Sequence, residues 1–571
     1  MPKVDPVSLL LMLPLLGAAG AFLLKFRRAH LWAGGVVGAS LMGGTLVSLL
    51  AAGRVSREGA IFRVIGGWRS AVGIHLNLDG AAAVLLIALF AISLLVLLYA
   101  LGEGAYGALF YATYAVAVAG MVGVILSADL FNLFVFFEVL SLSATILIAY
   151  KRGLTGLYAA FRYLLVTGLS VVLYLLGVFL LYRESGELAL SALLANSGGT
   201  AFSDTLFPGP VGIAGVLLFT GVAIRVALVP FHVWLPDAHS QAPHPVSALL
   251  SGLMIKAAFL ALWRMVTLFS ESGFLMELLL ITGLGSALLG VFLALAQKDA
   301  KRLLAFHSIS QMGYIAAAAG AGLLTGALYH ALGHALFKTL LFLSVGYYIS
   351  RTGSRDLYRM GDAAGSGRSS RTRRELLPPL LLLVGAAAIA GVPPFTGFAS
   401  KALIGSGMKG SQYYALLRLV SVGTAASFIK LCRFLLPLSG SGGMRISNVS
   451  ELAPTASQDP KESSASRFLL LGSMVAVAIL TLLLGVFPGL VLGGMSALGL
   501  PVSGELQLIY TPSRIAESLI VLALGALLYW ALRSGPGKRV SQAVSELRLG
   551  VDGALGVMAL GVVLAAAPLF F

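Results

Sequence analysis

Residues 225–239 read RVALVPFHVWLPDAH, an arginine, two prolines and two histidines set inside an otherwise apolar stretch. A helix crossing lipid avoids fixed charges, and each proline removes a backbone hydrogen bond. Non-helical backbone at membrane depth is tolerated only where it is buried in protein or lines a cavity. The stretch therefore reads as a discontinuous helix at an ion site. Its surroundings support a membrane setting: of 571 residues, 58% are hydrophobic and only 11% charged, far from the balance of a soluble domain. Runs of roughly 20 apolar residues, the length that crosses about 30 Å of hydrocarbon, recur along the chain. They are continuous and do not alternate with period two, which excludes a β-barrel. The fold class is all-α and polytopic, and the 68 glycines suit close helix packing.

Sixteen apolar windows are expected as helices, at about 7–24, 31–52, 78–101, 106–127, 130–150, 157–182, 211–235, 246–268, 277–297, 303–322, 325–350, 376–404, 411–435, 468–492, 515–532 and 549–570. The first is too long, and its basic residues too late, for a signal peptide. With the N-terminus outside, the inner loops hold 22 Lys and Arg and the outer segments 8, which places both termini outside a prokaryotic cell membrane. That asymmetry accounts for the +16 formal charge without nucleic acid. Residues 351–375 and 439–467 read as hydrophilic connections, and 54–77 as a small hairpin capping the outer face. The single cysteine, Cys432, excludes cysteine-ligated zinc or iron–sulfur centres in this chain, and no flavin or nucleotide motif is present. No cofactor is expected here; redox centres, if any, belong to partners.

RVALVPFHVWL from 225 and AIAGVPPFTGFASK from 388 each place a Val-Pro-(Pro)-Phe breaker inside a span with a cation nearby. Counting puts the breakers in the seventh and twelfth spans. An odd offset makes the two helices run oppositely, the sign of an inverted repeat. The expected division is 1–105 as N-terminal helices, 106–268 and 277–435 as inverted repeats, 436–510 as linker and fourteenth helix, and 511–571 as a C-terminal helix pair.

Ionisable groups at membrane depth cost at least about 2.5 kcal/mol each and mark pathways by default. Glu138, among bulky apolar residues of the fifth span, is either a protonated packing group or the partner of a cation on another helix, for which Arg225 is the natural candidate. Lys256 stands mid-span in the eighth; it either snorkels or, held away from water, gives up its proton as a relay. His330, His334 and Lys338 follow i, i+4, i+8 and share one face, as a proton wire requires; metal binding is the lesser alternative because no carboxylate completes a site. Lys401 closes the second break, or snorkels. Lys298, Asp299, Lys301 and Arg302 read as an interface anchor, His307 as packed or conducting, and His232, His239 and His244 as solvated around the break or in the inner loop.

The runs VPFHVWLPDAHSQAPHPVSALLSGLMIK, QKDAKRLLAFHSISQMGY, HALFKTLLFL and GVPPFTGFASK resemble the antiporter-like membrane subunits of the complex I superfamily: the proton-pumping subunits of NADH-quinone oxidoreductase, their counterparts in membrane-bound hydrogenases, and the large subunits of Mrp-type sodium/proton antiporters. The likeness covers about 100–435. It implies about 14 core helices with two inverted five-helix repeats, each with a broken helix, and leaves about two extra C-terminal helices. Glu138, Lys256, His330, His334, Lys338 and Lys401 match the family's pathway positions. Arg225 departs from the usual lysine, and arginine does not deprotonate in proteins. The resemblance implies a proton-translocating subunit of a respiratory or hydrogenase-type oxidoreductase complex, itself free of redox chemistry, working beside other membrane subunits and possible iron–sulfur partners. Sodium/proton exchange in an Mrp-type complex and a non-conducting structural subunit are the alternatives.

Overall fold

A computed structural model describes residues 5–25, 30–66, 73–196, 210–269, 273–360, 376–435, 464–502 and 509–534. In chain order the helices are α1 (Pro6–Leu24), α2 (His30–Glu58), α3 (Gly80–Glu103), α4 (Ala108–Leu126), α5 (Leu130–Ile148), α6 (Leu154–Ser185), α7 (Leu190–Asn196), α8 (Pro210–Val226), α9 (Leu235–Gln241), α10 (His244–Leu249), α11 (Ile255–Leu268), α12 (Phe274–Ala296), α13 (Ala300–Gly320), α14 (Leu324–Thr352), α15 (Leu377–Ala390), α16 (Thr396–Gly407), α17 (Tyr413–Cys432), α18 (Ser464–Val486), α19 (Pro488–Ala497) and α20 (Pro512–Arg533). Strands β1 (Ile61–Ile65) and β2 (Ile74–Leu78) pair antiparallel, Ile61 opposite Leu78, which is the expected hairpin. Among the described residues, thirteen spans are long and apolar enough to cross a membrane, and the protein is a multi-pass membrane protein. Fifteen of the sixteen windows coincide with helices; 549–570 lies outside the described residues. The connection expected to 467 ends sooner, because α18 begins at Ser464.

Several acidic residues at span ends are helix caps. Asp79, Asp129 and Asp299 accept the backbone N–H of Ala82, Asn132 and Arg302, satisfying donors that a helix start leaves unpaired. Asp129 also accepts His75 N at 2.9 Å, which ties the hairpin to α5. Burial pushes the Asp129 carboxyl up, against the pull of those amide donors.

The bundle turns the soluble pattern outside in. Leu16, Phe161, Leu154 and Trp530 are more than half exposed, while Arg225, Lys256, Lys301, His330, His334 and Lys338 are buried. Close contact is set by small residues: a Cβ on Gly283 of α12 would lie 2.4 Å from Ala317 N of α13, so these two helices touch backbone to backbone.

Both expected breaks are present. α8 stops at Val226, Ala227 takes φ +61°, Phe231–Trp234 form a 3₁₀ turn, and α9 resumes at Leu235. The carbonyl of Ile224 accepts Ala227 N at 3.1 Å and Trp234 Nε1 at 2.8 Å, and Val229 N donates to Ser286 Oγ at 2.8 Å. The second break runs from Ala390 to Thr396, with Gly391 at φ +85°. There the carbonyl of Ile389 accepts Lys401 Nζ at 2.7 Å. A third irregularity was not expected: Leu250–Met254 form a π-helical turn between α10 and α11, a feature frequent at functional sites.

Candidate functional site

Arg225 ends α8 with its guanidinium buried. Nε donates to Ser170 Oγ at 2.9 Å, Nη1 to Ser141 Oγ at 2.5 Å and Phe137 O at 3.1 Å, and Nη2 to Glu138 Oε1 at 3.1 Å. The guanidinium also lies over the Phe137 ring, 4.5 Å from its centroid. The expected pair is thus formed, but Arg225 is satisfied by α5 and α6; the Ile224 carbonyl at the break is taken by Ala227 and Trp234. Glu138 keeps 35% of its side chain exposed, on the outward stripe of α5 that also carries Phe131, Val135, Leu142 and Ile146. A cavity of about 10 Å³ beside Arg225, lined by Tyr163, Thr167, Trp234 and Met254 among others, has the room of about one water.

Lys256 does not snorkel. It is buried, and Nζ donates at 2.5 Å to Ser251 O, a carbonyl of the π turn. A cavity of about 10 Å³ between Lys256, Gly252, Ala331 and Ala335 opens towards α14. That helix approaches because residue 252 is glycine: a Cβ there would sit 2.6 Å from Thr339 Oγ1.

On α14, Lys338 donates to Leu304 O and His330 holds Ser400 Oγ at 2.9 Å and Gln311 Oε1 at 3.1 Å. His334 is buried with neither ring nitrogen bonded to protein, and so are His239 and His307. Buried polar atoms of native proteins are nearly always paired, with ordered water where protein supplies no partner. These imidazoles mark where water belongs. Lys401, next in sequence to Ser400, faces a cavity of about 30 Å³ lined by Tyr314, Tyr414, Arg418 and Arg514 among others. Among the described residues, no group of three or more His, Cys, Asp or Glu side chains is placed to hold a metal ion.

Two readings need correction. His232, His239 and His244 are not solvated: all are less than 9% exposed, because the chain after the first break folds back into the bundle as short helices. Lys301 is no interface anchor but is 1% exposed and donates to Ala242 O at 2.6 Å. Arg302 joins Arg162 on Asp237, at 2.9 and 2.6 Å, which clamps α6, α9 and α13 together. His307 packs against Phe428, ring centroids 4.8 Å apart.

Sequence reasoning missed the surroundings of Lys401. Tyr510 donates to Gly485 O at 2.5 Å and Pro394 O at 3.3 Å; burial pushes its phenol up to about 12, so it remains a donor at neutral pH. Arg418, Tyr414, Arg514 and Glu517 form one polar cluster. The available signal was spacing, Tyr414/Arg418 at i, i+4 and Arg514/Glu517 at i, i+3, which puts each pair on one helix face.

Residues 127–430 match the model of a family described as NADH:quinone oxidoreductase/Mrp antiporter, transmembrane. The chain is 34% identical to NADH-quinone oxidoreductase subunit N of Desulforudis audaxviator (strain MP104C), over 69% of this chain and 78% of the relative. It is 30% identical to a Na(+)/H(+) antiporter subunit of Alkalihalophilus pseudofirmus (strain OF4), over 72% and 82%. The fold is similar to a chain of the membrane-bound sulfane sulfur reductase, an archaeal respiratory membrane complex, with a TM-score of 0.73 and 26% identity over 91% of this chain and 99% of the other.

Proposed function

Because the chain belongs to the NADH:quinone oxidoreductase/Mrp antiporter family of membrane subunits, we propose that it carries protons through the membrane along Arg225–Glu138, Lys256, His334, Lys338, His330 and Lys401. It is an antiporter-like subunit of a complex I-related assembly and works beside other membrane subunits. The observation that carries the proposal is the run of buried cations and unpartnered imidazoles from α8 to α16, with water-sized cavities at Arg225, Lys256 and Lys401. Each lysine of the run donates to a backbone carbonyl. A neutral amine still carries N–H donors, so each contact persists, weakened, after the proton has left.

Two inverted repeats, 106–268 and 277–435, hold one break each, with Lys256 in the first and Lys338 and Lys401 in the second, and both termini lie outside the cell membrane of a prokaryote. Redox partners with iron–sulfur clusters would supply the driving force in a respiratory assembly. Sodium/proton exchange is the second reading, favoured by the 30% identity to an antiporter subunit. Lys338→Ala in the intact complex tests the pathway: proton transport in sealed vesicles is expected to vanish while native electrophoresis shows full assembly. Unchanged transport would sink the proposal. Repeating the wild-type measurement with and without sodium assigns the exchanged ion.

A further inference from the structure

Helix α20 is fastened to the second break at several points. Ser518 Oγ donates to Gly391 O at 2.8 Å, and Tyr510, just before the helix, reaches Gly485 O and Pro394 O. The helix also lies close on α17, since a Cβ on Gly525 would meet Ala425 Cβ at 2.5 Å. From this position α20 contributes Glu517, whose Oε2 accepts from Arg418 Nη2, from Arg514 Nη1 at 3.1 Å and from Tyr414 Oη at 3.2 Å. Tyr414 Oη in turn accepts Arg418 Nε at 3.0 Å and Arg514 Nη1 at 3.1 Å.

The two guanidiniums and Lys401 line one cavity of about 30 Å³, large enough for about two waters. Arginine keeps its charge in proteins, so a proton on Lys401 must be added beside two permanent cations. Glu517 is the anion that offsets them. We propose that Glu517 and Arg418 form a second charge pair, brought in by the C-terminal helix of the same chain, which sets how readily Lys401 takes up a proton. With Arg418 held on Glu517, positive charge is withdrawn from the cavity and Lys401 loads from its water; with the pair open, Arg418 turns towards the cavity and the proton is released to that water. Glu517 is thus a positioning residue, acting on Lys401 through Arg418. The inference rests on the reading of Lys401 as part of the pathway.

The other groups that face Lys401 are Tyr314 from α13, Tyr414 from α17, Arg514 from α20 and, through Ser400, His330 from α14. The test compares Glu517→Gln and the reversal Arg418→Glu/Glu517→Arg in the full chain within its assembled complex. Proton transport is read as rate and as pH profile. Glu517→Gln is expected to slow transport by about tenfold, equivalent to about 1.4 kcal/mol and within the coupling found between neighbouring residues of one charged network, and to move the alkaline limb of the profile towards acid. The reversal restores the pair and brings the profile back towards wild type. A Glu517→Gln complex with the wild-type profile overturns the inference, and so does an assembled reversal variant that restores nothing. Lys338→Ala, run in parallel, separates the two claims. If it abolishes transport while Glu517→Gln changes nothing, only the second pair falls; if it leaves transport intact, the pathway itself falls.

Discussion

Arg225 stands where the family it belongs to usually has lysine, and the structure says what each replacement should do. The guanidinium serves four acceptors, Ser170, Ser141, the Phe137 carbonyl and Glu138. Arg225→Met removes the charge and leaves Glu138 without its cation. Stripping one partner from a buried ion pair costs about 3–5 kcal/mol. Glu138 retains 35% exposure on the outward stripe of α5, so the pair is only partly buried and the loss is discounted to about 2–3 kcal/mol. If the pair tunes the barrier to proton entry, a loss of that size slows transport by roughly 30- to 150-fold at 1.4 kcal/mol per decade. Arg225→Lys keeps the charge but replaces a planar fork by a point with three donors, forfeiting one or two hydrogen bonds at about 1 kcal/mol each. Transport by the lysine variant should fall by no more than about 5- to 30-fold. The assay is quenching of a pH-sensitive dye in sealed vesicles, normalised to assembled complex on native gels. Wild-type transport by the methionine variant would refute the reasoning, as would an assembled lysine variant that transports nothing, because a cation at this position would then not suffice.

Two further expectations concern the frame around the pathway. Gly252→Ala should force the π turn from α14, because the new methyl would lie 2.6 Å from Thr339 Oγ1; overpacking of this kind costs about 1–3 kcal/mol, and adding Thr339→Ala should recover stability and transport together, which a double-mutant cycle measures directly. Asp237→Asn should leave Arg162 and Arg302 without their shared anion and lower the melting temperature of the complex by an amount reflecting about 2–4 kcal/mol. Transport per assembled complex should hold, and a variant that melts with wild type would show the clamp to be dispensable.

What the sequence disclosed, and what it hid, follows from contrast. A lysine or glutamate among leucines stands out, which is why Glu138, Arg225, Lys256 and the His330/His334/Lys338 stripe were legible before any coordinates. The two Val-Pro-Phe breakers were legible for the same reason, since proline inside an apolar window has few uses. Contrast fails where polar residues gather. PDAHSQAPH after the first break reads as a loop, yet the chain folds inward there and buries His232, His239 and His244, a choice made by packing against α13 and α14. The π turn at Leu250–Met254 has no composition of its own. Glu517 was hidden differently: α20 looked like an added helix, and nothing in one sequence tells that its charged end meets Arg418 about 100 residues away.

In the proposed pathway the two kinds of cation divide the work. Lys256, Lys338 and Lys401 each lean on a carbonyl, so each keeps its place with or without its proton, and proton number is the quantity that changes there. Arg225 cannot lose a proton, so at the entry the only variable is its distance from Glu138. That distance is set from the other end of the bond. Arg225 is fixed by Ser170, Ser141 and Phe137, whereas Glu138 stands on the exposed stripe of α5 between Val135 and Leu142. A neighbouring subunit that drew Glu138 outward would leave the guanidinium charge uncompensated beside its water-sized cavity and raise the cost of a proton at Lys256. One that let it return would lower that cost. Lysine at position 225 would add a second variable, its own proton, whereas arginine makes the first half of the line respond to position alone.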